Sequence, residues 1–183
     1  NNEHEKQRAD SIKQSRCITC DTYYYGTGIN ISVDIKTQGQ LEILEDGSKV
    51  WVLKIESASA YGMQFYFDKF HLPEGAELYI FKEDSTMLLG AFTSNNNPKD
   101  STKAIKFGTQ YISGNNIILE YHEPSNVDFS GELKINNVVH AFLSGGPYGT
   151  SEPCNKDVSC PEGNGWEDEI NSVALILIYD NNT

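Results

Sequence analysis

The sequence predicts an all-β fold: an antiparallel two-sheet sandwich of jelly-roll type, with an irregular N-terminal arm and a C-terminal extension. Three observations carry this expectation. Apolar and polar residues alternate from Ile29 to Lys36, placing Ile29, Ile31, Val33 and Ile35 on one face of a half-buried strand. Roughly nine such short apolar runs follow one another with polar turns between them, and no convincing amphipathic helix interrupts the series. Tyr (10) and Phe (8) far outnumber Met (2), and Val, Ile and Thr recur, a composition suited to pleated surfaces.

Taken in order, the elements begin with an arm, residues 1–25. Glu3, Glu5, Lys6, Arg8, Asp10, Lys13 and Arg16 crowd into it with few apolar anchors, so it reads as a mobile arm or a short helix outside the core. The sandwich domain spans 26–141. After the Ile29 strand, Asp46-Gly47 sits between the runs Leu41–Leu44 and Val50–Ile55, a strong hairpin signal. Trp51, Leu53 and Ile55 share one strand face. Met63, Phe65 and Phe67 alternate with Gln64, Tyr66 and Asp68, and the turn at Pro73 and Gly75 returns Leu78 and Ile80 to the core. Runs at Leu78–Phe81, Met87–Phe92, Ala104–Phe107, Ile117–Tyr121 and Leu133–Ala141 complete the strands. Leu72–Gly75, Asn95–Pro98, Ser113–Asn115 and Glu123–Asn126 supply turns. Residues 142–153 form a linker and 154–183 a separate extension.

A chain of 183 residues holds one well-filled domain with tails. Its net charge of −12 argues against a nucleic-acid partner, because a phosphate backbone calls for clustered Lys and Arg. No apolar run reaches membrane-spanning length. The four cysteines form two close pairs, Cys17/Cys20 and Cys154/Cys160, which suits an oxidising compartment, secreted or at the cell surface, and leaves three connectivities open.

Each chemical motif has a plainer reading beside it. Ser144-Gly145-Gly146-Pro147 matches part of the nucleophile motif of trypsin-like proteases, but Phe142-Leu143 replaces the Gly-Asp that precedes that serine. The four histidines (His4, His71, His122, His140) lie in no Ala-x-His-Cys context, so the motif reads as a Gly-Pro linker. Cys17-Ile-Thr-Cys20 lacks the βαβ setting of a redox pair and the further ligands of a zinc site, and reads as a local staple or a tether. His71, His122 and His140 sit in or beside strands, where hydrogen-bonded side chains outnumber ligands. Glu42, Glu45, Asp46 and Asp84 read as solvated hairpin edges. Asn95–Asn97 with Asp100 offers oxygen atoms to calcium but lacks a known ligand spacing, so no metal or cofactor site is assigned. Asn30-Ile31-Ser32 and Asn181-Asn182-Thr183 fit the glycosylation sequon. Tyr23–Tyr25, Tyr61, Tyr66, Tyr79 and Tyr111 suit stacking on sugars or packing on a half-buried face, with packing the leaning.

The extension holds the most specific pattern, Cys154-Asn-x-x-x-x-Cys160-Pro-x-Gly163 ahead of Trp166 and the apolar run Val173–Tyr179. It resembles the start of the mature catalytic domain in secreted lysyl endopeptidase-like serine proteases, a branch of the trypsin-like group. The segment Asp46–Ser57, with Ala60 and Phe65–Phe81, is similar to the N-terminal pro-region of the same proteases. Together the resemblances cover about residues 26–179, in the order pro-region then mature start. They imply a non-catalytic pro-region that assists folding of a secreted trypsin-like endopeptidase and holds it latent, followed by the threshold of a catalytic domain that this chain does not contain. The implied partner is the cognate catalytic domain, and the implied processing linker includes Gly146, Pro147, Tyr148 and Gly149. No lysine precedes Gly149 there, so cleavage falls to another protease or does not occur. The resemblance also implies that Cys154 and Cys160 bond partners deeper in the catalytic domain; within this chain they pair together, stay free or find Cys17 and Cys20. The strand Val173–Tyr179 is expected to add to a sandwich edge or to pair with a second copy of the chain. The alternative function is a secreted adhesion or carbohydrate-binding sandwich.

Overall fold

The alternating segments pair into two five-stranded antiparallel sheets. The computed structural model describes residues 2–3, 6–7, 24–97, 103–144 and 160–173. One sheet has the order β1 (Gly26–Asp34), β10 (Glu132–Ala141), β4 (Gly62–His71), β7 (Ile105–Gly108), with the two-residue β8 (Ile112–Ser113) also on β4. The other has the order β2 (Gln40–Ile43), β3 (Lys49–Glu56), β9 (Asn116–Glu123), β5 (Glu77–Lys82), β6 (Leu88–Phe92). The pairings β1·β10, β3·β9, β4·β7 and β5·β6 are nested along the chain, and successive pairs alternate between the sheets. The chain is an all-β sandwich.

The core lies between the sheets because each strand turns one face inward. Met63, Phe65, Phe67 and Phe70 come from β4, Leu133, Ile135 and Val138 from β10, and Trp51, Leu78, Ile80, Ile117, Leu119 and Tyr121 from the facing sheet. Phe67 and Phe70 break strict period two, yet both are buried. Register shifts between Lys134 and Ile135 and between Ile135 and Asn137 re-aim the strands and let both rings point inward. Phe70 stacks on Phe107 at 4.2 Å between ring centroids, which ties β4 to β7.

The Asp46-Gly47 hairpin forms as the sequence predicts. Gly47 takes a φ of +81°, Leu44 N–H donates to Ser48 O at 2.9 Å, and Asp46 Oδ1 accepts the Ser48 N–H at 2.9 Å. Three features depart from expectation. Ile35 is not the end of a strand: it opens a single helical turn, α1 (Ile35–Gln38). Asp34 caps that turn by accepting from Lys36 N at 2.9 Å and Thr37 N at 3.3 Å. Strand β8 is too short to leave a periodic signal. In the extension, Glu167–Ser172 forms a short helix, α2, with Glu167, Asp168 and Glu169 in its first turn, where the helix dipole favours carboxylates. Val173 closes that helix; the rest of the expected strand Val173–Tyr179 lies outside the described residues.

Candidate interaction site

β1 and β2 are edge strands of opposite sheets among the described residues, and the α1 turn lies between them in the chain. In register, Leu41 faces Trp51 and Ile43 faces Lys49 across β2·β3. Directly opposed residues share a face, so Leu41 and Ile43 point to the core side with the buried Trp51. They nevertheless remain 51% and 63% exposed. Leu44 and, on β1, Ile29 are also exposed. Leu41, Ile43 and Leu44 make an exposed aliphatic rim along β2. Glu42, Glu45 and Asp46 stand exposed beside it and give it an acidic border. Hydrogen bonds from Ser48 hold the Asp46 carboxyl below the usual carboxylate range.

A partly buried ion pair ties the α1 turn, which leads into β2, to the end of β9. Lys36 on α1 reaches Glu123 at the end of β9, with Nζ 3.0 and 2.9 Å from its two carboxylate oxygens. Glu123 Oε2 also accepts from Tyr121 OH at 2.8 Å and from Gly131 N–H at 2.7 Å, and Lys36 donates to Ser130 Oγ as well. The ammonium lies 4.6 Å from the Trp51 ring centroid, and Trp51 stacks on Tyr121 at 5.6 Å. Burial opposes ionisation of Glu123, but the Lys36 ammonium, the Gly131 N–H and the Tyr121 hydroxyl outweigh it and hold the carboxyl below its ordinary range. Burial, together with the bond to Glu123, pushes the Tyr121 phenol up. A Cβ at Gly131 would run into the Tyr121 hydroxyl, so glycine is required for this close approach. Sequence reasoning places Glu123 only in a turn signal and gives Lys36 no role.

The residues singled out by sequence fall as follows. Ser144 is exposed in the turn after β10. His140 Nδ1 lies 2.8 Å from Ser57 Oγ and its Nε2 2.9 Å from Asn2 Oδ1, tying the first residues of the arm to the sandwich. Ser57 with His140 has the form of a nucleophile and a base, but the Ser57 N–H is already bonded to Asn115 O. His122 bonds Glu120 at 2.6 Å, and His71 stacks on Phe129 at 4.2 Å. Of the proposed calcium ligands, Asn96 Oδ1 accepts from Thr93 N–H and Asn97 Oδ1 from Leu72 N–H, so both oxygens already serve the backbone; Asp100 lies outside the described residues. Among the described residues no cluster of three or more His, Cys, Asp or Glu is placed to hold a metal, and no helix is long and apolar enough to cross a membrane.

Cys160 is a free, partly exposed thiol, whereas Cys17, Cys20, Cys154 and the linker residues Gly146, Pro147, Tyr148 and Gly149 lie outside the described residues. Tyr111 is buried and donates to Tyr61 O at 3.0 Å, whereas Tyr61 is exposed. On the outer face of the second sheet, Tyr79, Phe81, Ser85, Leu88 and Glu120 line a shallow, open depression. No family model matches the chain, and no solved structure matches it.

Proposed function

We propose that this chain is a non-catalytic pro-region of a secreted trypsin-like serine endopeptidase, carrying the first residues of that enzyme's mature domain. Its sandwich is wound as a jelly roll, a reading supported by the nested pairing of its strands. The observation that carries the functional reading is the exposed aliphatic rim of β2, which follows the α1 turn tied down by the Lys36–Glu123 pair. An edge bearing exposed Leu and Ile is a liability unless a partner covers it. A covalently attached partner is present at high effective concentration, so a rigid rim can template strands of a barrel that folds slowly by itself. The same contact keeps the barrel latent until the linker at 146–149 is cut.

The reading predicts that the purified chain turns over no lysyl or arginyl ester, and that Ser144→Ala and Ser57→Ala leave that result unchanged. Ester turnover that disappears in either variant refutes it.

The outer-face depression favours the second reading, a carbohydrate-binding sandwich. Tyr79 and Phe81 present ring surface beside the Glu120 carboxylate, chemistry suited to a sugar ring. Glycan binding that is lost in Tyr79→Ala supports it.

A further inference from the structure

The depression on the outer face of the second sheet draws its walls from three adjacent strands, β9, β5 and β6. Tyr79 and Glu120 are directly opposed across β5·β9, and Phe81 faces Leu88 across β5·β6. Directly opposed side chains share a face, and two residues along β5 set the Tyr79 and Phe81 Cα atoms about 7 Å apart. Both rings are half-buried and Leu88 is exposed beside them. Ser85, at the tip of the β5–β6 hairpin, also lines the depression, with a φ of +58° that few residues other than glycine adopt. Thr86 N–H donates to Asp84 Oδ1 at 3.1 Å, and Lys82 Nζ lies 2.6 Å from Asp84 Oδ2, so this tip is tied down.

We infer that this depression takes a cationic amino sugar, its ring laid on Tyr79 and Phe81 and its ammonium held by Glu120. The inference rests on the carbohydrate-binding reading and narrows it to one class of sugar. Charge selects the cation. Glu120 gives its Oε1 to His122 at 2.6 Å, and its Oε2 has no partner among the described residues. Glu77, opposite His122 in register, accepts from the Tyr79 hydroxyl with Oε2 at 2.8 Å, and its Oε1 likewise has no partner among the described residues. The bond to Glu77, then desolvation and the charges of Glu77 and Glu120, push the Tyr79 phenol up, a sign that the field at the ring is negative.

The protein's own cations are engaged elsewhere. Lys82 is the lysine of β5 and pairs with Asp84, while β6 and β9 carry none. Lys54 on the neighbouring β3 has its Nζ 2.7 Å from Glu83. An ammonium near an aromatic face gains further from the ring quadrupole, and a chain of net charge −12 attracts cations in general. A sugar suits the site better than a plain alkylammonium, because its apolar ring face stacks on Tyr79 and Phe81 while its hydroxyls meet the exposed Ser85 and the remaining carboxylate oxygens. The depression is open, so an oligosaccharide crosses it without any movement of the sheet.

Titration calorimetry on the full chain tests this at physiological ionic strength, where long-range attraction between exposed charges is screened. It compares a glucosamine oligosaccharide with the glucose oligosaccharide of the same linkage and length, and with hexylamine. The expected result is binding of the amino sugar at least tenfold tighter than either. Glu120→Gln removes that preference, and Glu132→Gln, which deletes the same charge from the other sheet, leaves it intact. Equal affinity for the two oligosaccharides overturns the inference and leaves the carbohydrate-binding reading standing. Absence of binding by both overturns the two together. Hexylamine binding as tightly as the amino sugar, or a preference that survives Glu120→Gln, also overturns it, the first marking a plain ammonium site and the second an attraction to overall charge.

Discussion

At the scale of single residues, the Lys36–Glu123 pair decides how firmly α1 is held. Replacing one partner of this partly buried pair weakens charge-assisted hydrogen bonds, so Glu123→Gln should lower unfolding free energy by about 1–3 kcal/mol, read by urea unfolding. The sign of the pH dependence follows from the depressed carboxyl. Stability from this pair is complete above the ordinary glutamate value of 4.5 and is lost as pH falls through the lower folded value. Glu123→Gln should therefore unfold with a shallower acid dependence than wild type, and identical acid profiles would contradict the role given to the pair. None of this is legible in the sequence. Lys36 and Glu123 are 87 residues apart, and the Glu-Pro-Ser-Asn context of Glu123 signals only a turn.

At the scale of elements, local signals translate well. The Asp46-Gly47 hairpin, the inward face of Trp51, and the return of Leu78 and Ile80 after Pro73-Gly75 each need only a few neighbouring residues, and each is found. Ile35 shows the limit. Period two continues through it, but Asp34 offers a helix cap and Gly39 closes the turn, so a competing local preference takes over. The exposure of β2 is not legible either, because Leu41 and Ile43 obey the pattern of a buried face and yet remain exposed. Their substitution separates folding from docking. Leu41→Lys and Ile43→Lys should each change stability by no more than about 0.5 kcal/mol, as for surface positions. A loss of several kcal/mol in either would place these side chains in the core instead of on a docking rim.

At the scale of the whole molecule, the fold class was readable from composition and periodicity, while the strand order was not. β1 pairs with β10 and β3 with β9, contacts that close long loops and leave no mark on nearby sequence. That nesting predicts slow folding, in the range of about a millisecond to seconds, measurable by stopped-flow Tyr and Trp fluorescence. Microsecond folding would contradict a topology built on distant pairs. The same topology leaves β2 at an edge of its sheet, where the rim on which the functional reading depends is found.

The most direct measurement titrates the purified chain into the catalytic domain of a lysyl endopeptidase-like precursor and follows hydrolysis of a lysyl ester. Tight inhibition by wild type, weakened at least tenfold by Leu41→Lys or Ile43→Lys, is the predicted result. No inhibition at any concentration, or equal inhibition by the folded rim variants, would contradict the account.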